Sequence, residues 1–183
     1  MAASTIRNLF IENRLNRTVI RLEQGDLTAL AADAIVFYAA ENLELGTGYG
    51  TAIQSRGGAA VKDDLKRLGS VRAGEAVITR GGALAARHVI HACGPKFQEP
   101  ETEPKLRECL RSALQVAADN GLKTIALPPM GTGFYGIPLA LSARVTLEVI
   151  REFLRSDSSL EEIAICVIDK RDFLAFQPEL EAL

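Results

Sequence analysis

Apolar residues recur along this chain with two periods, one of two residues and one of about 3.6, and the two alternate from end to end. RTVIRLEQ (17–24) alternates apolar and polar positions and predicts a half-buried strand. DAIVFYA (33–39) is continuously apolar, the pattern of a central strand covered on both faces. Residues 50–69 carry a helical pattern with an expected interruption at Gly57-Gly58. EAVITR (75–80) and ARHVIHAC (86–93) predict two more strands, with GGAL turning between them. Residues 104–120 place Leu106, Leu110, Ala113, Leu114 and Ala117 on one helical face. Pro104 is expected at the first helical position and Gly121 beyond the last. LKTIALPPM (122–130) predicts a strand. Pro138 opens the next helix, in which Leu141, Val145, Val149 and Phe153 are spaced i, i+4. EIAICVID (162–169) predicts the last buried strand, and RDFLAFQPELEAL (171–183) a terminal helix interrupted or kinked at Pro178. This alternation predicts an α/β fold with a largely parallel sheet between helical layers.

The 183 residues suit one domain, 1–183, with a substantial core. Residues 1–16 form an N-terminal extension in which IRNLFIE is the candidate edge strand. The net charge of −2, with no concentration of Lys and Arg, argues against a nucleic-acid binder. No apolar run approaches the ~18 residues of a membrane span. The first residues lack the apolar core of a signal peptide, so a cytoplasmic location is expected. Cys93, Cys109 and Cys166 are far apart and form no CxxC pair, so they are expected to be buried thiols. His88 and His91 lie three apart on a strand and point to opposite faces, which favours structural roles over a shared metal.

One motif occurs twice. ENLELGTGYGTAI (41–53) and LPPMGTGFYGIP (127–138) each carry Gly-Thr-Gly and an aromatic between an apolar run and a helical one. Glycine allows close backbone approach to a ligand, and a helix N-terminus offers unpaired N–H groups. Together they suit a phosphate, and two such loops facing one crevice suit a diphosphate. Packing alone also produces glycine-rich turns. Likewise Tyr49, Phe134 and Tyr135 are either surfaces for a sugar or base, or plugs holding the loops to the sheet. GTGFYG (131–136) fits the dinucleotide-binding pattern G-x-G-x-x-G. The acidic residue wanted about 20 positions on falls inside a helix instead, as Glu148 or Glu152, which argues against a dehydrogenase.

The segments EQGDLTALAADAIV (23–36), LGTGYGTAI (45–53), AGEAVIT (73–79), RHVIHACGP (87–95) and IALPPMGTGFYGIP (125–138) resemble, in that order, the macrodomain family. The resemblance covers about residues 17–170. It implies a three-layer α/β/α sandwich with a mixed, largely parallel sheet and an ADP-ribose cleft at the carboxyl ends of the central strands. It also implies that Asp26 accepts a hydrogen bond from the adenine amine, with backbone contacts from Leu27. Gly46, Thr47, Gly48 and Tyr49 match the first phosphate and distal-ribose loop, and Gly131, Thr132, Gly133, Phe134 and Tyr135 the second. Tyr135 matches an aromatic beside the distal ribose. From residues alone, Asp26 reads instead as a turn residue or a helix cap before LTAL.

Departures from the family pattern bear on catalysis. Many hydrolytic members carry Asn-Ala-Ala-Asn after the second strand, and a gapless alignment puts Phe37 and Ala40 at the two Asn positions. Asn42 would substitute only in a bulged loop. Gly50 stands where some hydrolases carry an acid, and neither Phe134 nor Tyr135 supplies the aspartate of another class. Ile168 occupies the position of an adenine-packing aromatic and offers an apolar wall, with Phe173 just downstream as the replacement ring. The resemblance therefore implies a binder of ADP-ribose or a related nucleotide, and of ADP-ribosylated macromolecules, with weak or no hydrolysis. The rival is an ADP-ribosyl or O-acetyl-ADP-ribose hydrolase lacking the usual Asn. Neither a cofactor nor a metal is expected.

Overall fold

A computed structural model describes residues 9–46 and 48–183. Seven strands form one mixed sheet: β1 (Phe10–Leu15), β2 (Thr18–Gln24), β3 (Ala34–Ala39), β4 (Ala76–Arg80), β5 (His88–Cys93), β6 (Thr124–Leu127) and β7 (Glu162–Val167). Their order is β1-β2-β7-β6-β3-β5-β4. Neighbours from β2 to β5 run parallel, whereas β1 and β4 pair antiparallel at the two edges. Helices α1 (Tyr49–Gly57) and α2 (Ala59–Leu68) cover one face; α3 (Thr102–Asp119), α4 (Leu139–Phe153) and α5 (Lys170–Glu181) cover the other. The result is a three-layer α/β/α sandwich.

The continuous apolar run of β3 is explained by this double cover. Ala34, Val36 and Tyr38 enter the core beneath α3–α5, while Ile35 and Ala39 enter the one beneath α1 and α2, with Phe37 packed against it. Between α1 and α2, Gly58 adopts φ +68°, a left-handed conformation that ends the first helix at the predicted break.

Three boundaries differ from expectation. Helix α3 begins at Thr102, so Pro104 is its third residue; its missing N–H is still one the first turn leaves unpaired. Helix α5 runs on past Pro178, which deprives only the Leu174 carbonyl of a donor, and Leu174 is exposed. Strand β6 is short, ending at Leu127 where Pro128 and Pro129 follow.

That short strand opens the crevice. β3 pairs with β6 only through Ala34↔Ile125 and Ile35↔Ala126, and then runs on to Ala39 beside β5. β6 meanwhile stays with β7, out to Leu127↔Ile165. The sheet thus splits at its carboxyl end between β3 and β6, the kind of place where open α/β sheets bind ligands. At the opposite end, Asp33 ties the strand starts together by accepting from the Lys123 and Thr124 N–H groups at 2.7 and 3.1 Å.

Candidate functional site

The split opens into a cleft of about 930 Å³. Its walls come from strand ends and the segments after them. β2 leads to Asp26, and β3 contributes Phe37 and Tyr38 from opposite faces. The first glycine loop and α1 contribute Gly48, Tyr49 and Ala52. The segment after β6 contributes Pro128, Pro129 and Gly131 to Tyr135, followed by Ile137 and Leu139. Past β7 come Ile168, Asp169, Arg171 and Asp172.

Both glycine loops therefore face one cleft, and their local geometry is specific. Gly48 caps α1 at φ +62° with no side-chain cap, and among the described residues no acceptor is paired with the first-turn N–H groups. The second loop enters a single 3-10 turn, Gly133–Tyr135, rather than a helix; Gly136 ends it at φ +72° and α4 follows only after Pro138. Gly131 and Gly133 also lie at positive φ, +74° and +70°. Among the described residues, no protein acceptor is paired with the N–H groups of Thr132, Gly133 or Phe134. The Thr132 hydroxyl is spent within the loop, donating to the Pro129 carbonyl at 3.2 Å. At Gly131 the φ of +74° disfavours any side chain, and a Cβ would lie 2.3 Å from the tip of the Ile137 side chain, which would have to shift. A Cβ on Gly133 would meet nothing within 4 Å, so the space before it is open to a ligand.

One end of the cleft is aromatic. Tyr38 donates to the Pro95 carbonyl at 2.6 Å, which fixes its ring 4.5 Å from that of Tyr135. Phe134 meets Tyr135 edge-on at 5.4 Å and is 82% exposed, so it overhangs the cleft rather than plugging the loop to the sheet. Phe37 packs edge-on against the buried His91 at 6.0 Å.

The other end is polar. Asp26 Oδ1 accepts from the Thr28 N–H at 2.9 Å and the Thr28 hydroxyl at 2.7 Å, and Oδ2 accepts from Arg56 at 2.7 Å. Asp26 is thus the predicted cap and a cleft residue at once. The Thr28 hydroxyl, with Arg56 and the Thr28 N–H, holds its carboxyl below the usual range against the opposing effect of burial. Tyr49 stands nearby with its hydroxyl buried and without a partner among the described residues, and burial pushes that phenol up. Asp169 caps α5 by accepting from the Asp172 N–H at 2.9 Å, and Asp172 pairs with Arg171 at 3.1 Å.

The Leu27 side chain is fully buried in the core beneath α1, which leaves its backbone for the expected contacts, and neither Ala40 nor Gly46 is among the residues lining the cleft. Thr47 lies outside the described residues. Asn42 does not replace the missing Asn: its side chain is exposed and accepts from the Glu44 N–H at 3.1 Å, closing a local turn. Phe173 cannot replace an aromatic at position 168, because it is buried in the core beneath α5. Gly50 is dictated by the loop itself, since a Cβ there would sit 1.4 Å from the Leu45 carbonyl oxygen. His88 contacts the Asp33 carbonyl at 3.1 Å and His91 the Thr79 hydroxyl at 3.0 Å, far apart in role. The three cysteines are free and buried, and burial pushes the Cys93 thiol up to about 11 and that of Cys166 to about 12.

Among the residues sequence reasoning passed over are Tyr38, Arg56, Arg171 and Asp172. Tyr38 is legible in hindsight as a polar-tipped residue at the end of a buried strand; the Arg56–Asp26 pair joins residues 30 apart and left no local signal.

A three-layer sandwich with a crevice at the carboxyl ends of its parallel strands is the architecture of an open α/β domain. The family model "Macro domain" matches residues 38–146. A macro domain-containing protein of Chlorobaculum tepidum is 34% identical over 91% of this chain and 98% of its own length. The chain belongs to the macrodomain family. Other similar proteins carry more informative names. The ADP-ribose glycohydrolase MACROD2 of Xenopus laevis is 34% identical over 86% of this chain and 38% of its own. The macrodomain of Oceanobacillus iheyensis, solved with ADP, superposes with a TM-score of 0.90 at 25% identity, covering 96% of this chain and 97% of that one. That of Trypanosoma brucei, solved with ADP-ribose, gives 0.81 at 31%, covering 87% and 68%. Among the described residues no helix is long and apolar enough to cross a membrane.

Proposed function

We propose that this protein binds ADP-ribose, or a closely related ADP-ribosyl metabolite, in the cleft between β3 and β6. The observation that supports it most is the pair of glycine loops facing one cleft with uncommitted N–H groups. The diphosphate lies between α1's N-terminus and the Thr132–Phe134 amides, held by backbone donors and the helix dipole. Its adenine lies toward Asp26, whose carboxylate accepts from the exocyclic amine. The distal ribose packs on Tyr135, and the same cleft serves ADP-ribosyl groups carried on macromolecules. The solved complexes of similar macrodomains with ADP-ribose and ADP support the ligand class.

Hydrolysis is weak or absent. In-line attack requires a held ribose and a placed water, and misplacement by about 1 Å costs about a hundredfold. Phe37 puts a ring into the cleft wall, Ala40 offers no polar side chain, and Gly50 has no room for an acid. The similarity to a glycohydrolase favours the rival reading, in which the ligand's own diphosphate activates water. Calorimetry with ADP-ribose, ADP, AMP and NAD tests binding. Incubation with mono-ADP-ribosylated protein and O-acetyl-ADP-ribose tests turnover, and robust multiple turnover would promote the rival. Ala40→Asn, with Phe37→Asn, is expected to raise any residual rate.

A further inference from the structure

We propose that the loop after β5 is a docking lip for a polypeptide that carries an ADP-ribosyl group, with Phe97 as its anchor. This rests on the proposed placement of the distal ribose at Tyr135, because the lip lies beside that end of the cleft. Phe97 is not among the residues lining the cleft, and it is 59% exposed. Its ring is nevertheless set against the site. A Cβ built on Gly136 would lie 2.6 Å from the Phe97 ring, so the ring rests on the residue that ends the turn of the second glycine loop. Phe134 meets Tyr135 edge-on and is exposed over the cleft. Two exposed rings thus meet the Tyr135–Gly136 segment. The loop that carries Phe97 is strained and braced. Gln98 and Glu101 adopt φ +56° and +59°, a left-handed conformation that residues with side chains avoid. Glu99 accepts from the Lys96 N–H at 2.8 Å and from the Lys105 ammonium at 2.6 Å, and the Pro95 carbonyl accepts from Tyr38 at 2.6 Å. An exposed ring on such a loop is ordered in advance, so a partner that covers it does not have to order it.

Charge selects the occupant. The one lysine of the loop, Lys96, pairs with Glu41 at 2.6 Å, and Lys105 behind it pairs with Glu99. Glu101 is exposed, and among the described residues no cation is paired with its carboxylate. From Pro95 to Glu101 the lip therefore offers a free carboxylate and no free cation. A nucleic-acid chain is held by cations along its phosphates, and single strands that stack on aromatic rings also lie in a cationic groove. A polypeptide matches the lip better: an apolar side chain next to the modified residue covers Phe97, and an arginine or lysine meets Glu101. Aromatic anchors surrounded by polar groups are where the binding free energy of protein–protein contacts concentrates.

Calorimetry tests this with four ligands: free ADP-ribose, a peptide mono-ADP-ribosylated on one serine flanked by leucine and arginine, the same peptide with serine and glutamate in the flanking places, and an oligonucleotide ADP-ribosylated at its terminal phosphate. The unaltered protein is expected to bind the leucine–arginine peptide about tenfold more tightly than free ADP-ribose or the second peptide. Phe97→Ala is expected to narrow that preference to within about threefold and to leave free ADP-ribose within about twofold of its original affinity. Phe97→Leu, which keeps an apolar contact with Gly136, should retain part of the preference and serves if the alanine variant does not fold. Glu101→Gln, at an exposed position, should weaken the leucine–arginine peptide and leave free ADP-ribose unchanged. An unchanged preference in the folded variants overturns the inference. So does an equal loss for ADP-ribose and both peptides, which would make Phe97 only a brace for the glycine loop, and so does an oligonucleotide bound as tightly as the first peptide. Each of these leaves the binding reading intact, whereas failure of the unaltered protein to bind free ADP-ribose overturns both.

Discussion

Gly133→Val places a branched side chain where the ligand's diphosphate is expected, and its two effects can be separated. Gly133 sits at φ +70°, where an L-residue costs about 1–2 kcal/mol. Nothing lies within 4 Å of a Cβ built there, so no steric clash with the protein adds to that cost. For a chain of this size such a loss lowers Tm by roughly 2–8 °C. Binding should suffer far more. If valine keeps the ligand from two backbone N–H groups, each charge-assisted bond lost costs about 1.5–3 kcal/mol. The sum exceeds a hundredfold in Kd, about 2.8 kcal/mol. Gly121→Val is the matched control: φ is +64°, a Cβ there also meets nothing, and the residue follows α3, before β6 rather than after it. Calorimetry with ADP-ribose on both folded variants decides the matter. The control should bind as the unaltered protein does, and Gly133→Val should not bind measurably. An affinity within about threefold of the unaltered protein for Gly133→Val would refute the placement of the diphosphate.

Asp26→Ala should weaken ADP-ribose by about 1.5–3 kcal/mol in calorimetry and ribose 5-phosphate much less; equal losses would make Asp26 purely structural. Gly50→Asp should destabilise by about 3 kcal/mol or more, because its Cβ cannot coexist with the Leu45 carbonyl 1.4 Å away, and thermal melting should show a drop of roughly 6 °C or more. His91 predicts an acid limit to stability. Burial lowers its pKa to about 4, so between there and the ordinary value of 6.5 the unfolded chain holds a proton that the folded one does not. Stability is therefore full above about pH 6.5 and declines as pH falls toward 4, by about 3 kcal/mol. Urea melts across that window should lose this slope in a folded His91→Gln variant, and an unaltered slope would assign it to other groups.

Local pattern alone determined the alternation of strands and helices, because each element's period reports which sides it buries. The all-apolar β3 required cover on both faces, and Gly57-Gly58 required a break, since backbone cost acts at the residue itself. The repeated Gly-Thr-Gly was equally visible. Where expectation missed, a longer-range term prevailed. Pro178 stays inside α5 because the carbonyl it orphans belongs to an exposed residue, and Phe173 faces the core because α5 docks on the sheet with that side. Asn42 turns outward because the nearest N–H, that of Glu44, satisfies it locally. The cleft was expected at the carboxyl ends of the central strands, but the split that forms it was not legible, because it exists only where β6 stops pairing with β3 while β3 continues beside β5. Nor was the Asp26–Arg56 pair, whose partners come from the end of β2 and the far end of α1. A charge alone on a segment names no partner; only the packed sheet decides which two meet at 2.7 Å.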